Sequence, residues 1–257
     1  MPTYIPVSKL RHGDKTWQCP RTYHFAATDA LVPLALAELP RAATALPIAL
    51  ISQNGRFVPA ALLGLQPGEN LIVAPTGEWL GRYIPATYRA YPFRLLAGED
   101  DQQVMCIDES SKLIGVMGDG EPFFDSSGEP STGTRAMLDF LNQTRLSHQA
   151  AVRIGEALET HGLVCTWPLT VRDTAGDKRI EGLYQIDEHA LNALPADALL
   201  ELRNSGALLV AYLQLLSMQQ LTELVGLAKL TIDRSTRLQY SGEQNATSET
   251  FSFDALR

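Results

Sequence analysis

Pro47-Ile48-Ala49-Leu50-Ile51-Ser52-Gln53-Asn54-Gly55-Arg56-Phe57-Val58-Pro59-Ala60-Ala61-Leu62-Leu63 sets two short apolar runs on either side of an Asn-Gly pair. Asn and Gly accept the positive φ of a tight turn, so the segment reads as strands over Pro47 to Ser52 and Phe57 to Leu65, joined by Gln53-Asn54-Gly55-Arg56. The same grammar continues outward. Gln66-Pro67-Gly68-Glu69 is a second turn, Asn70 to Ala74 and Tyr91 to Leu96 are further strands, and Val104 to Asp108 and Leu113 to Met117 are short candidates. The Gly- and Ser-rich stretch 118–133 then reads as a hinge or loop, and as a candidate internal junction.

Beyond it the period changes. Met137, Leu141, Thr144, His148, Ala151, Ile154 and Leu158 recur at spacings of three and four, which places them on one face of a helix over 134–160, with Gly162 to end it. Leu163 to Arg172 and Arg179 to Ile186 read as strands around the turn Asp173–Asp177, followed by a short helix capped by Asp187. Pro195 opens another helix that ends near Ser205-Gly206. Ala207 to Leu230 is the final helix, its first half apolar nearly all round and therefore expected to be buried. Earlier, Asp29 is expected to cap a helix from Ala30 to Leu39. The fold class is α+β: a β-rich N-terminal part, a helical C-terminal part and a long buried final helix. Residues 1–25 read as an irregular arm, 26–230 as the folded domain and 231–257 as a polar tail.

The 257 residues carry 21 Lys and Arg against 29 Asp and Glu, a net charge of −8. That balance disfavours nucleic acid and anionic lipid as partners. Cys19, Cys106 and Cys165 include no C-x-x-C, so neither a disulfide framework nor a cysteine zinc site is indicated, and a reducing compartment fits best. The N-terminus does not read as a secretory signal. The apolar run Ala207 to Met218 falls well short of the roughly 20 residues of a membrane span. A cytoplasmic location is expected, with export requiring an unconventional route.

No segment carries a complete catalytic motif. Gly115-Val116-Met117-Gly118-Asp119-Gly120 has its glycines in the wrong order for a dinucleotide loop, and a turn accounts for it. Gly13-Asp14-Lys15-Thr16 lacks the earlier glycine of a phosphate loop. His12, His24, His148, His161 and His189 show no metal-ligand spacing, so no metal is expected and no cofactor is indicated. The segment from Asp125 to Gly133 groups hydroxyls and carboxylates without a nucleophile turn, which fits a solvated loop that caps the next helix. Cys106 and Cys165 lie in apolar strand patterns and read as small buried hydrophobes. His148 stands apart because it interrupts an apolar helix face. It is the candidate acid or base if it opens into a pocket, and a hydrogen-bonded structural histidine otherwise.

Trp79 to Arg94 is the densest unusual stretch, with five aromatics and three arginines. Trp79, Arg82, Tyr83, Tyr88, Arg89 and Phe93 form the candidate ligand-binding set, able to grip a peptide, an aromatic molecule or a carboxylate by stacking and forked hydrogen bonds. The alternative is structural, with aromatics packing a junction while the arginines pair with surplus acids.

From this stretch the chain resembles the bacterial SapC-like family, which is distinct from the similarly named peptide-transporter permease. The resemblance is carried by Pro47-Ile48, Leu63-Gly64, Glu69-Asn70-Leu71, Gly77-Glu78-Trp79, Tyr83-Ile84-Pro85-Ala86, Arg89-Ala90-Tyr91-Pro92-Phe93, Gly120-Glu121-Pro122-Phe123-Phe124, Gly182-Leu183-Tyr184 and Asp187-Glu188. It covers roughly Phe25 to Leu230. The family takes its name from a bacterial surface layer, and the resemblance implies an accessory role near outer-membrane TonB-dependent receptors and halogenase-like enzymes. It supplies no catalytic residues. The leading expectation is a soluble binding or accessory module for a peptide, protein segment or aromatic metabolite. An enzyme with a spatially assembled site and a surface-layer component are the alternatives.

Overall fold

The computed structural model describes residues 3–98, 102–116, 118, 120–173 and 176–230. The opening segment is not the irregular arm its composition suggests, since it forms β1 (Tyr4–Pro6), the single turn α1 (Lys9–His12) and β2 (Lys15–Trp17). Nor does a helix run from Ala30 to Leu39. That stretch is β3 (Leu31–Pro33), a 3-10 turn over Leu36–Glu38 and the short α2 (Leu39–Ala42). There β3 pairs along a sheet edge, where a proline is tolerated, and Val32, Leu34 and Leu39 are buried. Burial has overridden the helix propensity of the Ala and Leu residues.

The hairpin over the Asn-Gly pair is present as β4 (Ile48–Gln53) and β5 (Arg56–Leu62), in register from Ile48 opposite Ala61 to Gln53 opposite Arg56. Asn54 and Gly55 have φ of 51° and 76°. Asn70 to Ala74, in contrast, is not a strand beyond the isolated bridge Val73–Trp79. The Asn70 side chain donates to the Ala26 carbonyl and accepts from the Ile72 N–H, using backbone groups that a ladder would otherwise take.

The chain continues through α3 (Ala86–Ala90), β6 (Phe93–Ala97), β7 (Gln103–Asp108), β8 (Ile114–Val116), β9 (Glu121–Pro122) and α4 (Thr132–Thr160). Ser131 caps α4 by accepting from the Thr134 N–H, and Gly162 leaves it at φ 67°. After α4 come β10 (Val164–Thr166), β11 (Thr170–Asp173), β12 (Gly176–Arg179) and β13 (Tyr184–Ile186) as one strand pair nested within another. Then follow α5 (Glu188–Asn192), capped by Asp187, α6 (Ala196–Ser205) and α7 (Ala207–Ser217). The polar tail read over 231–257 lies outside the described residues.

Among the described residues all strand pairing is antiparallel. The largest sheet has the order β10-β13-β4-β5-β3, and two three-stranded sheets have the orders β1-β7-β6 and β8-β2-β9. The opening segment therefore supplies one edge strand and one central strand to the two smaller sheets. Among the described residues the interior has two apolar clusters. The larger joins the five-stranded sheet to the helices through Leu50, Leu62, Ile154, Leu158 and Val210. The smaller comprises Trp17, Ala90, Phe93, Ile107, Phe123 and Leu141.

Helix α4 belongs to both clusters. Leu141 enters the smaller, while Ala151, Ile154 and Leu158 are buried toward its C-terminal end. At Gly155 it lies so close to β5 that a Cβ would overlap the Phe57 carbonyl oxygen. The final helical run, Ala207–Leu230, is long and apolar enough to cross a membrane by length and composition. One face of α7 is buried through Ala207, Val210, Ala211, Gln214 and Ser217, but Leu209, Tyr212 and Leu216 are exposed. The two polar interruptions are bonded to the sheet. Gln214 accepts from Ile186 N–H and donates to Ile48 C=O, both at 3.0 Å, and Ser217 accepts from Ile48 N–H at 2.9 Å.

Candidate functional site

Between the two apolar clusters, α4 turns a polar segment inward. Thr144, Arg145, His148 and Val152 from this helix line a cavity of about 980 Å³, at the upper end of the range that suits small-molecule sites. The helical period predicts this geometry, because Arg145, His148 and Val152 follow Leu141 at four, seven and eleven positions and so share its face, while Ile154 and Leu158 turn away from it toward the larger cluster.

The opposite side is aromatic. Tyr4 of β1, Phe25, Tyr88 of α3, Tyr91 and Phe93 of β6 all line the cavity. Phe25 and Tyr91 are stacked, with ring centroids 3.8 Å apart and planes inclined by 13°. The Arg94 guanidinium lies over the Tyr4 ring, 4.9 Å from its centroid, a cation–π geometry.

Two carboxylates face this space, and each already accepts hydrogen bonds from the protein. Asp29 accepts from the Tyr88 hydroxyl at 3.0 Å. Asp108 accepts from the Tyr91 hydroxyl, the Ser110 hydroxyl and N–H, and the Thr3 N–H. Burial opposes ionisation of Asp108, but those hydrogen bonds together outweigh it and hold its pKa below the usual carboxylate value. The Tyr88 hydroxyl is pushed well above its ordinary value by burial and then by the charge and hydrogen bond of Asp29. Both tyrosines therefore stay neutral donors at neutral pH.

The cations have no such partners. Among the described residues, neither Arg94 nor Arg145 makes an ion pair with a carboxylate, and the buried Arg145 Nε has no hydrogen-bond acceptor. His148 accepts or donates no hydrogen bond among the described residues. Burial lowers its pKa against the opposing pull of Glu38, so the ring is mainly neutral at pH 7. The site thus joins aromatic surface, hydroxyl donors, two unneutralised guanidinium groups and a neutral imidazole.

The residues singled out from sequence are divided by the fold. Tyr88, Phe93 and His148 line the cavity. Trp79, Tyr83 and Arg89 lie elsewhere, around the buried Glu38. Trp79 Nε1 donates to the Tyr83 carbonyl at 2.9 Å, and the Tyr83 hydroxyl donates to Glu38 at 2.8 Å. The Tyr83 pKa is pushed up to about 12, by burial first and by Glu38 second. Glu38 also accepts from the Ala86 N–H, and the Arg89 guanidinium lies 3.9 Å away. These groups tie the 3-10 turn before α2 to α3. Arg82 is exposed, 3.3 Å from Glu223, beside a separate hollow of about 50 Å³.

Sequence reasoning missed Tyr4, Phe25, Asp29, Asp108 and Arg145 as site residues. Tyr91 and Arg94, which also line the cavity, belong to the Trp79 to Arg94 stretch but not to the six-residue candidate set. Arg145 had a usable signal, since it precedes His148 by three positions and so shares its helix face. The loop from Asp125 to Gly133 behaves as expected. Asp125 accepts from Ser127 and Glu129 within the loop, and Ser131 caps α4. Among the described residues no group of three or more His, Cys, Asp and Glu assembles. Cys106 is buried, Cys165 half-buried and Cys19 exposed, all as free thiols.

The family model described as SapC matches residues 7–224. No curated protein and no solved structure matches the chain.

Proposed function

The chain belongs to the SapC family, and from that premise we propose that it is a binding module acting in the cytoplasm, with its ligand in the cavity against α4. One observation carries this reading: a cavity of about 980 Å³ brings stacked aromatic rings and two guanidinium groups without carboxylate partners into one space. Such a site suits a metabolite or the end of a peptide, buried among rings and oriented by a few polar groups. Trp79, Tyr83 and Arg89 of the Trp79 to Arg94 stretch hold α3 to the turn before α2 through Glu38 and so position Tyr88. An accessory role beside uptake receptors or halogenase-like enzymes, as the resemblance implies, would make this protein a holder of a ligand that another protein delivers or consumes.

Native affinity purification from the protein's own cells, with mass spectrometry of released small molecules and co-purifying proteins, tests the reading. Thr144→Trp serves as the control because the indole would project from α4 into the cavity beside Arg145 and His148 and obstruct a ligand seated there. A molecule released by the parent protein and absent from a folded Thr144→Trp variant is the expected result. Equal recovery from both would place the ligand elsewhere.

A second reading is favoured by His148, a mainly neutral imidazole on the same cavity and therefore able to accept a proton. In that case the captured molecule would be converted by the parent protein and left unchanged by a folded His148→Gln variant. Conversion at an undiminished rate by the variant would remove His148 from the chemistry.

A further inference from the structure

We infer that the cavity takes a ring-bearing carboxylate, with its charged end at Arg94 and Arg145 and its ring against the aromatic wall. This rests on the binding reading above and adds the chemical class of the ligand.

Asp29 and Asp108 contribute two negative charges to the lining, and Arg94 and Arg145 two positive charges. The opposing groups do not neutralise one another by direct pairing. The carboxylates are occupied by Tyr88, Tyr91, Ser110 and the Thr3 N–H, which leaves the arginines available. A buried N–H without an acceptor, such as Arg145 Nε, is costly to leave unmade and is satisfied by an oxygen brought in from outside. Guanidinium groups match carboxylate oxygens in shape and charge.

Charge number then selects among anions. The lining balances two carboxylates with two arginines in a protein of net charge −8, so a bound singly charged carboxylate leaves the site one negative charge in excess where a phosphate dianion leaves two. The apolar part of the ligand is set by the surfaces beside the cations. Arg94 rests on Tyr4, while the stacked Phe25–Tyr91 pair and Phe93 offer ring faces and edges. An aliphatic acid would leave that surface uncovered. Neutral His148, on the same helix face as Arg145, adds a hydrogen-bonding group without adding charge.

The test is isothermal titration of the full chain with 2-naphthoate, its neutral analogue 2-naphthamide and naphthyl phosphate. Naphthoate is expected to bind at least ten-fold more tightly than the amide and more tightly than the phosphate. Arg145→Gln and, separately, Arg94→Gln should each weaken naphthoate binding about ten-fold while leaving amide binding, circular dichroism and melting temperature unchanged. Equal binding of acid and amide, insensitive to both substitutions, would overturn the carboxylate assignment yet leave the cavity as a binding site. Tighter binding of the phosphate would reassign the anion class. Failure of all three probes, together with an empty native purification, would overturn both the assignment and the binding reading.

Discussion

At His148 the environment acts on a single proton. Burial lowers the ring's pKa from its ordinary 6.5, so the unfolded chain takes up the proton more readily than the folded one. Its penalty is absent above about 6.5 and grows as the pH falls from there through the folded value. His12, fully enclosed and lowered chiefly by burial, has the same sign. The melting temperature should therefore drop on acidification from about pH 8 to pH 5, the range in which histidine charge changes. A His148→Gln variant should show a shallower drop, and an unchanged slope would assign the whole effect to other groups. His148 was visible in the sequence because a titratable ring interrupts an apolar helix face. Arg145 was legible only through its three-residue spacing from His148, since by itself an arginine on a long helix reads equally well as a solvated side chain. Asp108 and Tyr4 become neighbours of the site only through the pairing of β1 with β7, which no local pattern reports.

Elements followed the sequence where their period was regular. The β4–β5 hairpin and α4 appear close to the expected bounds because turn chemistry, alternation and helical spacing all point the same way. Leu31 to Leu39 departed because its neighbours in space, rather than its propensity, decide its shape. The seam between β13 and β4 is another matter of context. Their ladder pairs only Tyr184 with Leu50, and beyond it Gln214 and Ser217 of α7 take the Ile48 and Ile186 backbone groups that a strand would have used. Gln214→Leu keeps the volume and removes both side-chain hydrogen bonds. Each backbone group left unpaired costs on the order of 1–3 kcal/mol, so stability should fall by about 2 kcal/mol or more in urea unfolding. A loss below about 0.5 kcal/mol, the usual scale for neutral surface changes, would show that the seam closes without the glutamine.

For the whole molecule, α4 is the member shared by two apolar clusters, with the cavity between them. Trp17 anchors the smaller cluster, with its ring edge-on to Phe93 at 4.8 Å and its Nε1 donating to Thr134. Trp17→Ala should cost about 4 kcal/mol, as expected for deleting a large buried ring. Hydrogen exchange should locate the damage, with amides of β6, β7 and the first half of α4 losing protection while those of β4 and β5 retain most of theirs. Uniform loss across all these strands would mean that the two clusters unfold as one unit.

The long-range pairing of the first strand also has a consequence for the order of synthesis. Thr3 donates to Asp108, 105 positions later, and β1 has no partner until β7 exists. A ribosome adding about 5–20 residues per second needs roughly 5–20 s to make that partner. During that interval the nascent chain presents Tyr4 and Ile5 unpaired, so the aromatic wall of the cavity is completed only once β7 has been translated, and α4 across from it is made later still.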